Sequence, residues 1–222
     1  MTGQAFTPTA RTTPKRKRDR VGYERATAHA IIDEALLCHV GFVVDGAPRV
    51  LPMLHARIDD TLYLHGSTGA GAMLAARAEG LPICVTVTHL DALVLARSWM
   101  HHSVNYRSMV AHGRAHLVTA ESEKWDALAA LVDKVGEGRS AQSRPPTTRE
   151  FAETAVLALT LREASVKARV GGVLDDEEDY ALPYWAGVVP LRLVPGPSQP
   201  DRGVGVAVPA YLPPSRGTGA TN

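Results

Sequence analysis

Residues 39–67 read HVGFVVDGAPRVLPMLHARIDDTLYLHGS, and they decide the fold class. The Asp-Gly dipeptide at 45–46 separates two runs of strand-like alternation, and it is a strong signal for a two-residue hairpin turn. Two aspartates at 59–60 then turn the chain into a third run at 61–65. Three strands joined by such tight turns form an antiparallel meander, because parallel strands need a long crossover between them.

The remaining pattern predicts a small, mainly β barrel of the α+β class. Six to eight antiparallel strands close, or nearly close, with two or three helices outside. Apolar spacing marks the helices and short apolar runs mark the strands. The predicted helices lie at 24–37, at 70–79 and after Thr119, and a capping box at Thr147 could start a further short one. The predicted strands lie at 39–44, 48–57, 61–65, 83–89, 93–98, 109–118, 156–161 and 186–194.

Composition and charge exclude several classes of protein. The longest apolar run is too short to cross a bilayer, and the N-terminus has no apolar signal region. The two cysteines lie in apolar segments, which argues against a disulfide scaffold and fits a cytoplasmic protein. Beyond residue 20 the chain has no basic stripe, so neither a nucleic acid nor a membrane is an expected partner.

The chain divides into three parts. Residues 1–20 carry six basic residues and one aspartate, and we expect a disordered basic tail there. Residues 21–194 form the expected folded domain. Residues 195–222 are a Gly- and Pro-rich C-terminal tail, in which the alternating valines of 203–212 could pack as an edge segment.

The loop after the third strand is a candidate phosphate site. Residues 66–71 read GSTGAG and lead from a strand into a helix, so backbone N–H groups and hydroxyls converge there. A plain strand-to-helix turn is the alternative, and both interpretations stay open. A dinucleotide-binding fold is disfavoured, because the glycines miss the G-x-G-x-x-G frame and a hairpin comes first.

The densest group of donors, acceptors and aromatic rings is ARSWMHHSVNYRS at 96–108. Such a set could bind the edge of a heteroaromatic ring and stack on its face, or form a structural interface. Lys167 and Arg169 share a face if their strand continues. They could bind a phosphate, or they could form an exposed basic pair opposite the acidic segment at 175–179. Trp185 could stack on a ligand or pack at an interface.

The sequence predicts no metal site and no serine nucleophile. His112 and His116 lie on one face of a predicted strand. However, the chain contains no zinc motif of the H-E-x-x-H or C-x-x-C type. Ser67 and Ser103 have histidines nearby but no G-x-S-x-G elbow.

These segments together resemble the FMN-binding split-barrel family of pyridoxamine 5'-phosphate oxidase-like proteins. The branch that is most similar holds flavin-nucleotide-binding proteins and the Nim nitroimidazole-resistance proteins. The resemblance covers about residues 20–194 and runs through RVLPM at 49–53, LYLHGS at 62–67, residues 97–108 and WAGVVP at 185–190. It implies an antiparallel split β-barrel with peripheral helices, and a homodimer with FMN at the subunit interface.

The resemblance also implies site residues. His65 is the expected proton donor, Tyr106 or Trp185 is the expected shield of the flavin ring, and His65 and Tyr106 are the candidate catalytic residues. Arg107 would stabilise negative charge on reduced flavin. With Lys167 and Trp185 added from the residue patterns, the expected cofactor-binding set is Arg49, Val50, Leu51, Pro52, His65, Gly66, Ser67, Asn105, Tyr106, Arg107, Ser108, Lys167 and Trp185.

Two departures from the family pattern shape the expected function. Gly-Ala-Gly stands at 69–71, where the oxidases carry a Ser-Arg-Lys phosphate clamp, and their C-terminal substrate motif is absent. Vitamin B6 synthesis is therefore not predicted. We expect an FMN-dependent oxidoreductase that reduces a small organic acceptor. The alternatives are a non-catalytic flavin, haem or deazaflavin binder or sensor, and a dimeric scaffold without a cofactor.

Overall fold

The computed structural model describes residues 4–215. Within this range the chain forms nine strands and four α-helices. The strands are β1 (Val21–Gly22), β2 (Leu37–Val44), β3 (Ala47–Ile58), β4 (Thr61–Ser67), β5 (Leu81–Leu95), β6 (Ser103–Leu117), β7 (Thr154–Thr160), β8 (Glu163–Arg169) and β9 (Gly187–Pro190). The helices are α1 (Arg25–Glu34), α2 (Gly71–Ala75), α3 (Glu121–Asp133) and α4 (Thr148–Glu153).

Six strands close into an antiparallel barrel in the order β6-β7-β4-β3-β2-β5, with β5 paired back to β6. Strand β6 has three partners. It pairs with β5 along its length, with β8 from Tyr106 to His112, and with β7 at His116 and Leu117. Strands β1 and β9 extend the sheet beyond β8 and β5. The predicted fold, a mainly β split barrel of the α+β class with peripheral helices, is confirmed.

The meander at the start of the barrel forms as its turn residues predict. Asp45 and Gly46 have φ angles of 52° and 73°, which is the geometry of a two-residue turn that matches the twist of antiparallel strands. Strands β2 and β3 then pair from Leu37 and Leu54 to Val44 and Ala47. The local sequence therefore suffices to set this register.

Helix α1 fills one end of the barrel. Its Ala28, Ile31 and Ile32 are buried in the aliphatic core. The last carbonyls of a helix have no partner within the helix. Here Nε2 of His55 lies 2.9 Å from the Ile32 carbonyl oxygen, and Nε2 of His89 lies 3.0 Å from that of Ile31. Two strands thus complete the C-terminal turn of α1.

The predicted break between strands at 83–89 and 93–98 and the predicted strand start at 109 are wrong. Residues 81–95 form one strand with a bulge between Leu90 and Ala92, and β6 already begins at Ser103. At the bulge the carboxylate of Asp91 binds the guanidinium of Arg107. The polar residues are therefore strand residues whose charges are paired across the sheet, which composition alone does not reveal.

Part of the N-terminal segment, for which the sequence predicts disorder, is packed against the domain. Phe6 has 2% of its surface exposed and belongs to the core. Its backbone N–H donates to the Tyr23 carbonyl at 2.8 Å, and the Arg25 guanidinium lies 4.4 Å from its ring centre. Farther on, Arg11 forms an ion pair with Glu163. The basic residues at 15–18 are exposed.

The C-terminal segment forms no strand at 203–212, contrary to the edge packing that the valines predict. Ser198 and Ser215 instead form an isolated bridge. The Tyr211 hydroxyl lies 3.2 Å from Oε1 of Gln142, so the described part of this segment rests near the end of α3.

The helices outside the barrel are short. The capping box predicted at Thr147 is confirmed, because the Glu150 N–H donates to its hydroxyl at 3.3 Å and the Thr147 N–H donates to the Glu150 carboxylate at 2.7 Å. Helix α3 begins after Ala120 rather than after Thr119, and no side chain caps it. Among residues 4–215 no helix has the length and apolar character needed to cross a bilayer.

We expect Phe6→Ala to lower the free energy of unfolding by about 3–5 kcal/mol, because it empties a buried aromatic site. Urea denaturation followed by circular dichroism measures this change. Trp99→Ala is the matched control, since Trp99 is 94% exposed and its loss should change stability by less than about 0.5 kcal/mol. Equal stabilities of the two variants would contradict the packing of the N-terminal segment.

Candidate functional site

The first group of predicted site residues lies in the N-terminal half of β3. Residues 49–52 pair with β2, whereas β4 pairs with β3 only from His55 to Ile58. Within the described chain, the other backbone edge of residues 49–52 has no strand partner. Arg49, Val50, Leu51 and Pro52 are all exposed. This half of β3 is therefore open to a ligand or to another chain.

The second group lies at the end of β4. His65 is exposed and lies on the same strand face as Tyr63, which packs on Ala127 of α3. Gly66 faces the other way, because a Cβ there would lie 2.8 Å from the terminal methyl of Met73. A side chain larger than hydrogen at 66 would thus displace a core methionine.

The loop after β4 satisfies much of its own hydrogen bonding. The N–H of Thr68 donates to the Glu153 carbonyl at 3.0 Å, that of Gly69 to the Ser67 hydroxyl at 3.3 Å, and that of Ala70 to the Ser67 carbonyl at 2.9 Å. Three of the N–H groups expected to bind a phosphate are therefore engaged. This geometry favours the plain strand-to-helix turn.

The third group opens β6, and Asn105 in it is buried. Its amide donates to the Gly171 carbonyl at 3.0 Å and accepts from Nη1 of Arg169 at 2.5 Å. Arg169 also donates to the Gly172 carbonyl at 3.0 Å. Its guanidinium is thus used to hold the loop after β8, so neither of the two interpretations of a Lys167–Arg169 pair, an anion site or a partner for the acidic segment, describes Arg169.

Arg107 is bound by two carboxylates. Its guanidinium donates to both oxygens of Glu34 at 2.6 and 2.9 Å, and to both oxygens of Asp91 at 3.0 and 2.9 Å. These hydrogen bonds raise the pKa of Arg107 and lower that of Glu34. Arg107 therefore ties the end of α1 to the bulge of β5, and a bound anion would compete with both carboxylates.

Ser108 and Lys167 belong to a surface that we call the outer sheet face, which is the side of strands β3, β2, β5, β6 and β8 directed away from the core. The pairing register puts its residues on one side, since directly opposed residues in an antiparallel pair share a face. The Ser108 hydroxyl donates to the Lys167 carbonyl at 3.1 Å. The face consists of Val50, Pro52, His39, Gly41, Cys84, Thr86, Ser108, Val110 and Lys167.

One chain does not bring all the predicted residues to one place. Pro52, His39, Thr86 and Val110 form one row across four strands. Three strand spacings of about 4.8 Å therefore separate Pro52 from Val110 in the middle of β6, roughly 14 Å.

The other predicted residues lie farther round the molecule. His65 lies on the α3 side of the barrel. Trp185 is exposed in the segment before β9, and Tyr106 pairs with Leu90 and Arg169 beyond the row of Ser108.

His39 and Thr86 are site candidates that the sequence did not single out. Both belong to the outer sheet face and are directly opposed across β2 and β5. The alternation within each strand could have placed them outside the barrel. Only the register between strands shows that they lie beside Pro52 and Val110.

Comparison with known proteins places the chain in a family. The model of the family described as pyridoxamine 5'-phosphate oxidase matches residues 24–168, which is more than half of the chain. The chain therefore belongs to the pyridoxamine 5'-phosphate oxidase family, as the resemblance predicts. No curated protein matches the sequence.

Two of the similar solved structures have more than a third of their residues in common with this chain, and another shares only its fold. The flavocytochrome Anf3 from Azotobacter vinelandii is 39% identical, with a TM-score of 0.86 over 93% of this chain and 97% of that one. The FAD- and haem-binding protein from Mycobacterium smegmatis is 36% identical, with a TM-score of 0.81 over 86% and 95%. A putative 5-nitroimidazole resistance protein from Bacteroides thetaiotaomicron shares the fold alone, at 21% identity and a TM-score of 0.57 over 67% and 86%.

We expect Arg107→Ala to lower the melting temperature at pH 7 by about 2–4 °C. Because Arg107 lowers the Glu34 pKa, ionised Glu34 stabilises the fold above its ordinary pKa of 4.5. The stabilisation from ionised Glu34 is lost as the pH falls through its lowered pKa. The difference in melting temperature between Arg107→Ala and the wild type should therefore shrink near pH 3. Differential scanning calorimetry at both pH values measures it.

Arg149→Ala is the control for this experiment. It removes an exposed pair with Glu153 at 2.8 Å, and its effect should be below about 0.5 kcal/mol. A loss for Arg107→Ala that is equal at both pH values would contradict the role of the carboxylates.

Proposed function

We propose that this protein is a flavin-dependent oxidoreductase that reduces a small organic acceptor and works as a homodimer. The observation that carries the proposal is the outer sheet face, on which Val50 is 66% exposed and which also carries the Ser108 hydroxyl and the Lys167 ammonium group. Family membership supports it. So do two relatives described as a flavocytochrome and as an FAD- and haem-binding protein.

The residues of the outer sheet face fit a flavin ring. Val50, Pro52 and Val110 provide an apolar surface, and Gly41 lies on the same face without a side chain that would obstruct a planar ring. Ligand sites of this kind combine apolar walls with a few polar groups that fix orientation. The Ser108 hydroxyl and the Lys167 ammonium group would supply hydrogen bonds and positive charge toward the polar edge and the phosphate.

A second copy of the chain would complete the site. The outer sheet face exposes apolar side chains, and Val43 at the hairpin beside it is 58% exposed. Exposed apolar surfaces of this kind mark contact sites. Residues 49–52 lie three strands away from Ser108, so in a dimer the β3 edge of one subunit would reach the start of β6 in the other.

The flavin supplies the electron transfer when it is bound, and the chain supplies position and protons. Apolar residues of the outer sheet face would exclude water from the ring. In general, a histidine side chain can hold and release a proton at neutral pH. His65 and His39 are the candidate donors, and His39 is the one that lies on the outer sheet face.

FMN is the nucleotide that the resemblance implies, and FAD is the one named for a relative. The two share the ring that the outer sheet face would bind, and they differ beyond the first phosphate. Titration of the purified protein with each nucleotide, followed by flavin fluorescence, separates them. Reduction by NAD(P)H and reoxidation by an acceptor would support an oxidoreductase, and a stable spectrum without turnover would support the binder or sensor.

We expect Val50→Asp to give a monomer and to weaken flavin binding by at least about tenfold, because it places an unpaired charge in the proposed interface. Light scattering after size exclusion and fluorescence titration measure the two effects. Val206→Asp is the control, since Val206 is exposed outside the outer sheet face. A Val50→Asp variant that stays dimeric and binds flavin like the wild type would overturn the proposed site.

Haem is a second candidate cofactor, favoured by the two relatives that share 39% and 36% of their residues with this chain. Nine histidines offer axial ligands. We expect the protein to take up hemin at one equivalent per chain and to show a sharpened Soret band. If the titration gives only the spectrum of free hemin, haem is excluded as a cofactor and the flavin remains the candidate.

We place the protein in the cytoplasm. Cys38 and Cys84 are free, and neither has a partner sulfur. Burial raises the pKa of the Cys38 thiol to about 12, so this thiol is unreactive. Unpaired, unreactive cysteines are compatible with a reducing compartment.

A further inference from the structure

We propose a divalent metal site where the connection between β5 and β6 meets the acidic segment after β8. His101 ends a short 3-10 turn, Trp99–His101, in that connection. Asp175 and Asp179 belong to the acidic segment. One ligand atom from each of these three residues lies within 4.8 Å of the others. The site is separate from the outer sheet face and does not depend on a flavin.

Hydrogen bonds from Arg97 fix the position of the Asp175 carboxylate. The Asp175 side chain is 0% exposed. The backbone N–H of Arg97 donates to both of its oxygens, at 3.1 and 3.3 Å, and Nη1 of Arg97 donates to Oδ2 at 2.9 Å. A carboxylate offers about four lone-pair positions, so Oδ1 retains the capacity to bind a cation.

His101 faces this carboxylate with an unused nitrogen. Its Nδ1 is enclosed and has no hydrogen-bond partner within residues 4–215. Oδ1 of Asp175 lies 3.8 Å from this nitrogen, beyond hydrogen-bond range. A buried polar atom without a partner is unfavourable, and a metal ion would satisfy it.

The distance between Nδ1 of His101 and Oδ1 of Asp175 is close to the distance between two atoms that bind the same metal ion. A zinc ion with bonds of about 2.0–2.2 Å places two tetrahedral ligand atoms roughly 3.3 Å apart. The separation between His101 Nδ1 and Asp175 Oδ1 exceeds this by about half an ångström. Movement of the His101 ring alone can close that gap, because its side chain is partly exposed.

The local charge favours a cation. Residues 175–179 read DDEED, so five carboxylates stand in sequence. Among the described residues, Arg97 is the cation paired with Asp175, and its guanidinium also lies 5.0 Å from the Tyr180 ring centre. One guanidinium leaves this segment with a large excess of negative charge, which attracts a divalent ion.

The donor atoms select the kind of ion. One imidazole nitrogen and two carboxylate oxygens suit Zn²⁺ and other divalent ions of the first transition row, whereas Mg²⁺ and Ca²⁺ prefer oxygen ligands. Three protein ligands leave a position for water or for a further ligand. The ion would join two segments that lie 78 positions apart at Arg97 and Asp175, which is why ligand spacing in the sequence does not reveal the site.

Zinc titration of the full-length, untagged chain after treatment with EDTA tests the proposal. We expect one Zn²⁺ per chain by isothermal titration calorimetry, with a rise in melting temperature. His101→Ala and Asp179→Asn should each weaken zinc binding by at least about tenfold. His102→Ala is the matched control, because its Nδ1 lies 2.8 Å from the Ser98 carbonyl and outside the donor set.

Melting curves in EDTA check that both variants fold, and Co²⁺ gives a second readout. Bound cobalt should show visible ligand-field absorption that is lost in His101→Ala and kept in His102→Ala. Three outcomes would overturn the proposal: zinc affinity unchanged in both ligand variants, an equal loss in the control, or displacement of Zn²⁺ by equimolar Mg²⁺. The last would show that the carboxylates alone attract cations.

Discussion

Strand β6 changes its partner along one edge, and the barrel depends on this exchange. Up to His112 that edge pairs with β8, and from His116 it pairs with β7. Buried backbone groups must be hydrogen-bonded, so the exchange has to occur within very few residues. Gly113 lies at this point, where a Cβ would come within 2.6 Å of Leu159 on β7. The absence of a side chain lets β7 approach β6 and close the barrel.

The exchange also shapes the surface on which we propose the flavin site. Because β8 pairs with the first half of β6, the strands on that side form one wide sheet, whose outward face is exposed at Val50 and Pro52 and is covered by Thr9 and Arg11 at Glu163. Helix α1 occupies the end of the barrel instead, and its terminal carbonyls are bound by His55, His89 and Lys134. Arg107 joins the same helix to the β5 bulge. The interior is thus filled with side chains, and the outer sheet face is where we propose that the flavin binds.

The fold could be predicted from the sequence where the information is local. The Asp-Gly turn at 45–46 sets the first hairpin, and Thr147 sets the start of α4. The long strands β5 and β6 could not be predicted, because their polar residues are stabilised by partners distant in the chain. Likewise, nothing around Phe6 indicates burial, since no apolar periodicity surrounds it and its contacts come from Tyr23 and Arg25.

The sequence names candidate site residues, and it does not give their arrangement. Arg49 and Ser108 could be named from resemblance, but their separation follows from the register of four strands. The sequence likewise does not show that Arg107 is already neutralised by two carboxylates. Charge pairing and strand register are properties of the assembled sheet, so they enter only with the structure.

The position of α1 has a consequence for how the chain is made. This helix leaves the ribosome early, yet the Leu161 carbonyl that binds its Arg25 lies 136 positions later, and β8 later still. Helix α1 also contacts β3, β5 and β6, so part of its apolar face can be covered once those strands exist, and its packing is complete only when β8 has been made. Contacts between distant segments form slowly and leave apolar surface open to aggregation. A nascent chain that stalls before β8 would therefore leave part of the apolar face around Ile31 and Ile32 uncovered.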